Sequence, residues 1–180
     1  GCSIRNPMEN GFDHAYQCDN TNGYFSPTGQ TEDGVKLPAD GNAGAFYSTT
    51  AIADHAIRYL KEHALKHKEQ PFFQYLAFHS PHFPVQALPE DIAVYKGRYD
   101  AGWDALRVER LERMKKLGIV DCALSPLDPV TVPSWNLSEA QLKKRIGGNE
   151  VAHAVPWETL TPGQQKFQAE KMSVHAAMVH

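Results

Sequence analysis

Two histidines follow a run of apolar residues, and their spacing makes them the strongest candidates for chemistry. His79 and His82 lie near the end of FFQYLAFHSPHFP (residues 72–84), with Pro81 and Pro84 close by. Proline fixes its own φ and restricts the preceding residue, so these rings would be presented with little backbone freedom. An imidazole there can donate hydrogen bonds to an anion, act as a general acid or bind a metal. The alternative is a structural role, with both rings bonded to nearby carbonyl groups.

The elements before the histidines favour an α/β arrangement. Residues 72–78 are apolar except for Gln74, which predicts a buried strand. Before it, STTAIADHAIRYLKEHALKHKEQ predicts a helix that begins with a Ser or Thr N-cap at residues 48–50 and ends before Pro71. Its apolar positions fall on one face: Ala53, Ala56, Ile57, Leu60 and Ala64.

A helix that leads into such a strand is half of an α/β unit. The predicted fold class is therefore α/β, with part of a mainly parallel sheet flanked by helices and incomplete at both ends. Ligands of parallel α/β sheets bind at the carboxyl ends of the strands, which is where His79 and His82 lie.

The remaining chain divides into a loop-rich start and a helical end. Residues 1–47 contain Asn-Gly and Asp-Gly turn signals, and residues 85–180 are predicted as an excursion of helices and loops. A helix is predicted over 103–117, with Gly118 as its left-handed cap. Capping boxes are predicted at Ser138 with Gln141 and at Thr161 with Gln164. Both ends read as cut, so the chain is interpreted as an internal segment, 1–180, of a longer protein.

Composition excludes several classes of function. The net charge of −3 gives no basic footprint for nucleic acid, and no apolar stretch has the length of a membrane span. Cys2, Cys18 and Cys122 form no C-x-x-C pair, which argues against a zinc site. A Cys2–Cys18 bridge and unpaired thiols are both open.

A second histidine pair could form a metal-binding face. His63 and His67 are four residues apart on the predicted helix, but no third ligand is evident. A solvated polar face is the favoured interpretation, and no metal ligand is predicted in the chain.

Several long strings, in order, carry a resemblance to a known family. NPMENGFDHAYQ, SPHFP, YKGRYDAGWDALR and KMSVHAAMVH strongly resemble the sulfatase family, in particular bacterial arylsulfatase-like enzymes of the alkaline-phosphatase superfamily. The resemblance covers most of the chain and is weakest between about 123 and 160. It implies that residues 48–84 form a helix and core strand ending in the active-site histidine.

The resemblance assigns roles to three residues. His82 matches the family's active-site histidine, which contacts the sulfate group, so it is the predicted catalytic and substrate-binding residue. His79 is a further substrate-side or supporting candidate. Tyr24 lies in a stretch similar to a loop that borders the substrate pocket, and its alternative role is to anchor a turn.

Other parts of the family's machinery have no match in the sequence. The C/S-x-P-x-R motif that is oxidised to formylglycine is absent, and so are the Asp, Asn and Gln ligands of the family's calcium ion. The resemblance implies that the formylglycine nucleophile and Ca²⁺ belong to the parent enzyme outside this segment, which alone would be inactive.

The resemblance implies sulfuric ester hydrolysis, with a sulfate-ester small molecule or a sulfated glycan as substrate. The rest of the parent chain would be the partner of this segment, and the location would be periplasmic or secreted. Two alternatives stay open: a phosphate or phosphonate ester hydrolase of the same superfamily, and a non-catalytic binding module.

Overall fold

The chain forms two compact units. The computed structural model describes residues 6–18, 23–39, 46–127 and 137–180. The N-terminal unit comprises Gly1–Leu88 with Val179, and the C-terminal unit comprises Pro89–Met178 with His180. His79 and His82 both lie in the N-terminal unit.

The N-terminal unit contains a small antiparallel sheet. Its strands are β1 (Tyr16–Gln17), β2 (Thr31–Glu32) and β3 (Val35–Lys36), in the order β1-β2-β3. Tyr16 pairs with Glu32 across β1 and β2, and Glu32 pairs with Val35 across β2 and β3. Asp33 and Gly34, which join β2 to β3, have φ values of 48° and 80°, as a two-residue hairpin turn requires. The turn predicted from Asp-Gly is therefore confirmed.

Aromatic and charged side chains join this sheet to helix α1 (Ser48–Lys66). The Tyr16 ring stacks on His55 with 3.7 Å between centroids, and Glu32 accepts from the Tyr59 hydroxyl at 3.1 Å and pairs with Arg58. Burial, followed by the neighbouring Cys18 and Glu32, raises the pKa of Tyr16. The phenol therefore keeps its proton in neutral solution and remains a hydrogen-bond donor.

The start of α1 corrects one prediction. The helix begins at Ser48 and its N-cap is Tyr47, so Ser48 lies inside the first turn. Its side chain makes no cap, and its buried Oγ has no hydrogen-bond partner among the described residues. The predicted Ser or Thr N-cap is wrong because Tyr47 already has the extended backbone of a cap residue, with φ −135° and ψ 122°. The helix ends at Lys66, before Pro71 as predicted.

The run predicted as a buried strand is neither paired nor buried. Residues 71–79 form no strand, and Phe73 and Tyr75 are 77% and 74% exposed. A strand requires a neighbour to satisfy its backbone donors and acceptors, and none of the described residues pairs with this run. The mainly parallel sheet is likewise not confirmed, since the sheet in the described ranges is antiparallel.

The C-terminal unit is helical. Its capping boxes, Ser138 with Gln141 and Thr161 with Gln164, are both confirmed. Gly118 has the predicted left-handed φ of 69° after the third helix of the chain. The helices are α2 (Pro89–Val94), α3 (Gly102–Lys116), α4 (Glu139–Arg145) and α5 (Pro162–Ala177), with a 3₁₀ turn at Trp157–Thr159.

A close contact fixes the start of α3. Gly102 has φ 79°, and a Cβ there would lie 2.1 Å from Cδ2 of Trp157. Trp157 packs edge-on against Trp103 at 4.8 Å, and its backbone N–H donates to Asp104 at 2.8 Å. Only glycine has both the backbone conformation and the space that this contact requires.

A buried ion pair lies against α5. Glu150 is 3% exposed and accepts from Lys171 Nζ at 2.7 Å, Gln168 Nε2 at 2.8 Å and the Val151 N–H at 3.0 Å. Burial alone would raise the pKa of this carboxyl, but the three donors offset it and hold the pKa below its ordinary value.

We expect Glu150→Gln to lower the free energy of unfolding at pH 7 by about 1.5–3 kcal/mol, because charge-assisted hydrogen bonds are lost. The carboxyl pKa is depressed in the folded state. The stabilisation that Glu150 contributes is therefore complete at a pH above the carboxyl's pKa in the unfolded chain. It disappears as the pH falls through the lower pKa of the folded state. Urea unfolding at pH 7 and at acid pH measures both effects. A variant whose stability runs parallel to the wild type at every pH contradicts the assignment.

No helix among the described ranges is long and apolar enough to cross a membrane.

Candidate functional site

Tyr24 holds the backbone at His82. Its side chain is fully buried, and its hydroxyl donates to the His82 carbonyl at 2.7 Å. The Tyr24 carbonyl in turn accepts from the Ser48 N–H at 2.8 Å, at the start of α1. This geometry favours the anchoring role over the pocket-bordering role. Contact between Tyr24 and a substrate stays a prediction.

A second bond reaches the same segment from the turn at Gly23. The Tyr24 N–H donates to Oε1 of Gln86 at 2.8 Å, and Tyr47 donates to the Gln86 carbonyl at 3.3 Å. Gly23 has φ 89°, and a Cβ there would lie 2.6 Å from Gln86 Oε1. The Asn-Gly signal predicts a turn here, whereas nothing in the sequence marks Gln86 or Tyr47 as supports of the histidine segment.

His82 presents an exposed imidazole on a fixed backbone. The backbone N–H of His82 donates to the His79 carbonyl at 2.9 Å, and the ring Nδ1 of His82 lies 2.7 Å from the Phe83 carbonyl. A carbonyl can only accept, so Nδ1 carries a proton and Nε2 is the nitrogen left for a ligand. A neutral ring then offers Nε2 as an acceptor or base, and a protonated ring offers it as a charged donor. The peptide bonds before Pro81 and Pro84 are both cis.

His79 has a different environment and points its ring at a thiol. Its Nδ1 lies 3.8 Å from Sγ of Cys18, a buried residue at the end of β1. The structure therefore brings His79 and His82 into one tight turn but gives the rings different neighbours. This arrangement agrees with a supporting role for His79. Cys18 is a further residue that the sequence did not indicate as part of this site. The alternative Cys2–Cys18 bridge involves Cys2, which lies outside the described residues.

The described part of the chain does not supply a metal site. It contains no group of three or more His, Cys, Asp or Glu side chains that could hold a metal ion. The ring centroids of His63 and His67 lie 6.0 Å apart at the end of α1, and Nε2 of His63 lies 3.0 Å from the Gln70 carbonyl. These donors do not fit Ca²⁺, which prefers several oxygen ligands.

Comparison with known proteins identifies similar sequences over most of the chain. A family model described as Sulfatase matches residues 3–160. An arylsulfatase of Klebsiella aerogenes is 34% identical over 187 aligned residues, which cover 96% of this chain and 34% of that protein. An uncharacterised sulfatase of Schizosaccharomyces pombe is 35% identical over 136 residues, covering 74% of this chain and 20% of that protein. The chain thus spans about a third or less of the length of these relatives.

Proposed function

The chain belongs to the sulfatase family, and from that premise we propose that it supplies part of the sulfate-binding pocket of a sulfuric ester hydrolase. Because it covers only 34% of the arylsulfatase it matches, the activity is proposed for the full-length enzyme, a polypeptide that contains this chain and the remaining length of its relatives. His82 is the proposed catalytic residue. The observation that supports it is an exposed imidazole whose backbone is held by the buried Tyr24.

The chemistry proposed for His82 follows from its free nitrogen. With Nδ1 bonded to the Phe83 carbonyl, a protonated ring directs Nε2–H at a sulfate oxygen. A charged donor there stabilises the negative charge that builds on the sulfate and on the departing ester oxygen as the S–O bond breaks. The formylglycine nucleophile and Ca²⁺ are proposed to come from parts of the full-length enzyme outside this chain, and no step at His82 is assigned to them.

The apolar run 72–78 has a proposed place in the same enzyme. This run exposes large apolar side chains, among them Phe72, Phe73 and Leu76. A contiguous apolar surface of this kind marks an interface. We propose that it pairs with neighbouring strands of the full-length enzyme as a buried parallel strand, which would bring His79 and His82 to the strand's carboxyl end. Hydrogen exchange measures this directly. The amides of 72–78 should exchange slowly in the full-length enzyme, and rapid exchange there contradicts the proposal.

The proposed reaction is tested with the full-length enzyme and two matched substrates. We expect it to release 4-nitrophenol from 4-nitrophenyl sulfate faster than from 4-nitrophenyl phosphate. Faster turnover of the phosphate would replace the sulfatase assignment by the phosphate or phosphonate ester alternative. Hydrolysis of neither ester, in a folded protein, would favour the non-catalytic binding module.

A further inference from the structure

A hydrogen-bond network of four side chains leads from the small sheet to His79, and the chemistry proposed for His82 does not use it. The Tyr16 hydroxyl lies 2.7 Å from Oε1 of Gln30, and Sγ of Cys18 lies 3.8 Å from Nδ1 of His79. The Cys18 thiol is also hydrogen-bonded to the Tyr16 hydroxyl. Gln30, Tyr16, Cys18 and His79 are therefore connected in series, and all four lie in the N-terminal unit.

The direction of this network is fixed at its first member, Gln30. Nε2 of Gln30 donates to the Pro27 carbonyl at 2.6 Å, because a carbonyl can only accept. The other end of the amide, Oε1, therefore faces Tyr16 and has no hydrogen to offer. The Tyr16 hydroxyl must donate to it, and a phenol has only one proton to give.

The same count of protons fixes the two bonds of Cys18. Because Tyr16 gives its proton to Gln30, the Tyr16 oxygen can only accept from Cys18, so the thiol donates. The thiol also has a single proton, so its sulfur can only accept from His79. Nδ1 of His79 therefore carries a proton. A neutral imidazole has one N–H, which leaves Nε2 of His79 with a lone pair.

The surroundings of Cys18 suit a hydrogen-bonding role. Cys18 is 6% exposed and directly follows β1, and the neighbouring Tyr16 ring is held by its stack on His55. A buried thiol that donates its proton is not a reactive thiolate. The His79 carbonyl accepts the His82 N–H at 2.9 Å, so the residue that Cys18 contacts also holds the turn that carries His82.

We propose that Cys18 is a positioning residue that sets the tautomer of His79, so that Nε2 of His79 accepts a hydrogen bond in the reaction centre. This inference rests on the proposed sulfatase function. An unprotonated Nε2 repels the oxygens of a sulfate group and accepts from a hydroxyl group or a water molecule instead. The two histidines then have opposite polarity: His82 donates to the sulfate, and His79 accepts from the hydroxyl group or water beside it.

Nitrogen-15 NMR of the histidine-labelled full-length enzyme tests the tautomer, because the shift of an imidazole nitrogen shows whether it carries a proton. The His79 signals are those that disappear in His79→Gln. We expect a proton on Nδ1 and none on Nε2 in the neutral ring. Tyr16→Phe removes the acceptor of the thiol proton, so the thiol can donate to Nδ1 and the Nε2–H tautomer should appear. Tyr59→Phe removes a hydroxyl that donates to Glu32 in the same unit, and it should leave the His79 signals unchanged.

Hydrolysis of 4-nitrophenyl sulfate by the same enzyme tests the consequence. Cys18→Ala should reduce kcat by about fivefold or more with little change in KM, because only part of the enzyme then has the productive tautomer. Cys18→Ser keeps one donor and one acceptor, so it should restore the Nδ1–H tautomer and most of the rate. These two variants carry the test if Tyr16→Phe does not fold. A wild-type His79 with its proton on Nε2 overturns the proposal, and so does a wild-type kcat in Cys18→Ala.

The two measurements separate this proposal from the function on which it rests. If no sulfate ester is hydrolysed but the His79 tautomer depends on Cys18 as expected, the sulfatase function fails and the control of the tautomer by Cys18 stands. If sulfate esters are hydrolysed and the tautomer or kcat is insensitive to Cys18→Ala, the positioning role fails and the sulfatase function stands.

Discussion

His82→Ala in the full-length enzyme is expected to reduce kcat/KM for 4-nitrophenyl sulfate by about 10²–10³-fold, the usual cost of removing one donor to a developing oxyanion. The side chain is exposed and its only described ring contact is with the adjacent Phe83 carbonyl, so the free energy of unfolding should change little. Steady-state kinetics and urea unfolding of the same preparation measure the two quantities. The reduction should appear in kcat as well as in kcat/KM, because the charge it stabilises develops in the transition state.

His67→Ala provides the matched control, since it removes an exposed imidazole from the end of α1 in the same unit. It should retain wild-type kinetics. Wild-type activity in His82→Ala would remove this residue from the reaction.

Tyr24→Ala is expected to lower the free energy of unfolding by about 3–5 kcal/mol, because a fully buried aromatic ring is replaced by a cavity. Tyr24→Phe keeps the ring and removes only the hydroxyl that donates to the His82 carbonyl. It should cost about 1 kcal/mol and lower kcat severalfold, since His82 would lose the bond that fixes its backbone. Urea unfolding and steady-state kinetics of both variants separate packing from positioning.

Tyr99→Phe is the control for loss of a hydroxyl. Within the described ranges the Tyr99 hydroxyl makes no hydrogen bond, and its ring stacks on Tyr95 with centroids 6.5 Å apart. It should therefore match the wild type in stability and rate. If Tyr24→Phe also matches the wild type in both, the bond to His82 has no role in the site and Tyr24 acts only through its packing.

Local features of the fold were predictable because they depend on a few neighbouring residues. The hairpin turn at Asp33-Gly34 requires two positive φ angles, and Asp-Gly is one of the dipeptides that favour them. The box at Thr161 and Gln164 satisfies N–H groups three residues apart, so it needs no tertiary contact. The end of α3 just before Gly118 follows in the same way from the left-handed conformation of glycine.

Two predictions that differ from the structure of this chain depend on residues distant in sequence. The run 72–78 has the composition of a buried strand, but composition cannot supply the neighbouring strand that would pair with it. Ser48 has the residue type of an N-cap, yet the cap is Tyr47, one residue earlier. The Ser48 backbone N–H instead donates to the Tyr24 carbonyl, a partner 24 residues away in the sequence. Both differences have one physical cause: backbone hydrogen bonds are satisfied by partners that sequence spacing does not reveal.

The family, the candidate His82, the two capping boxes and the hairpin are all predictable from the sequence, because they depend on residue type and local spacing. Tertiary structure decided what holds His82 in place. Tyr24 lies 58 residues away along the chain, and its hydroxyl reaches the His82 carbonyl only because the Gly23 turn, the start of α1 and Gln86 pack together. Such contacts join residues that are distant in sequence, so residue type and local spacing do not predict them.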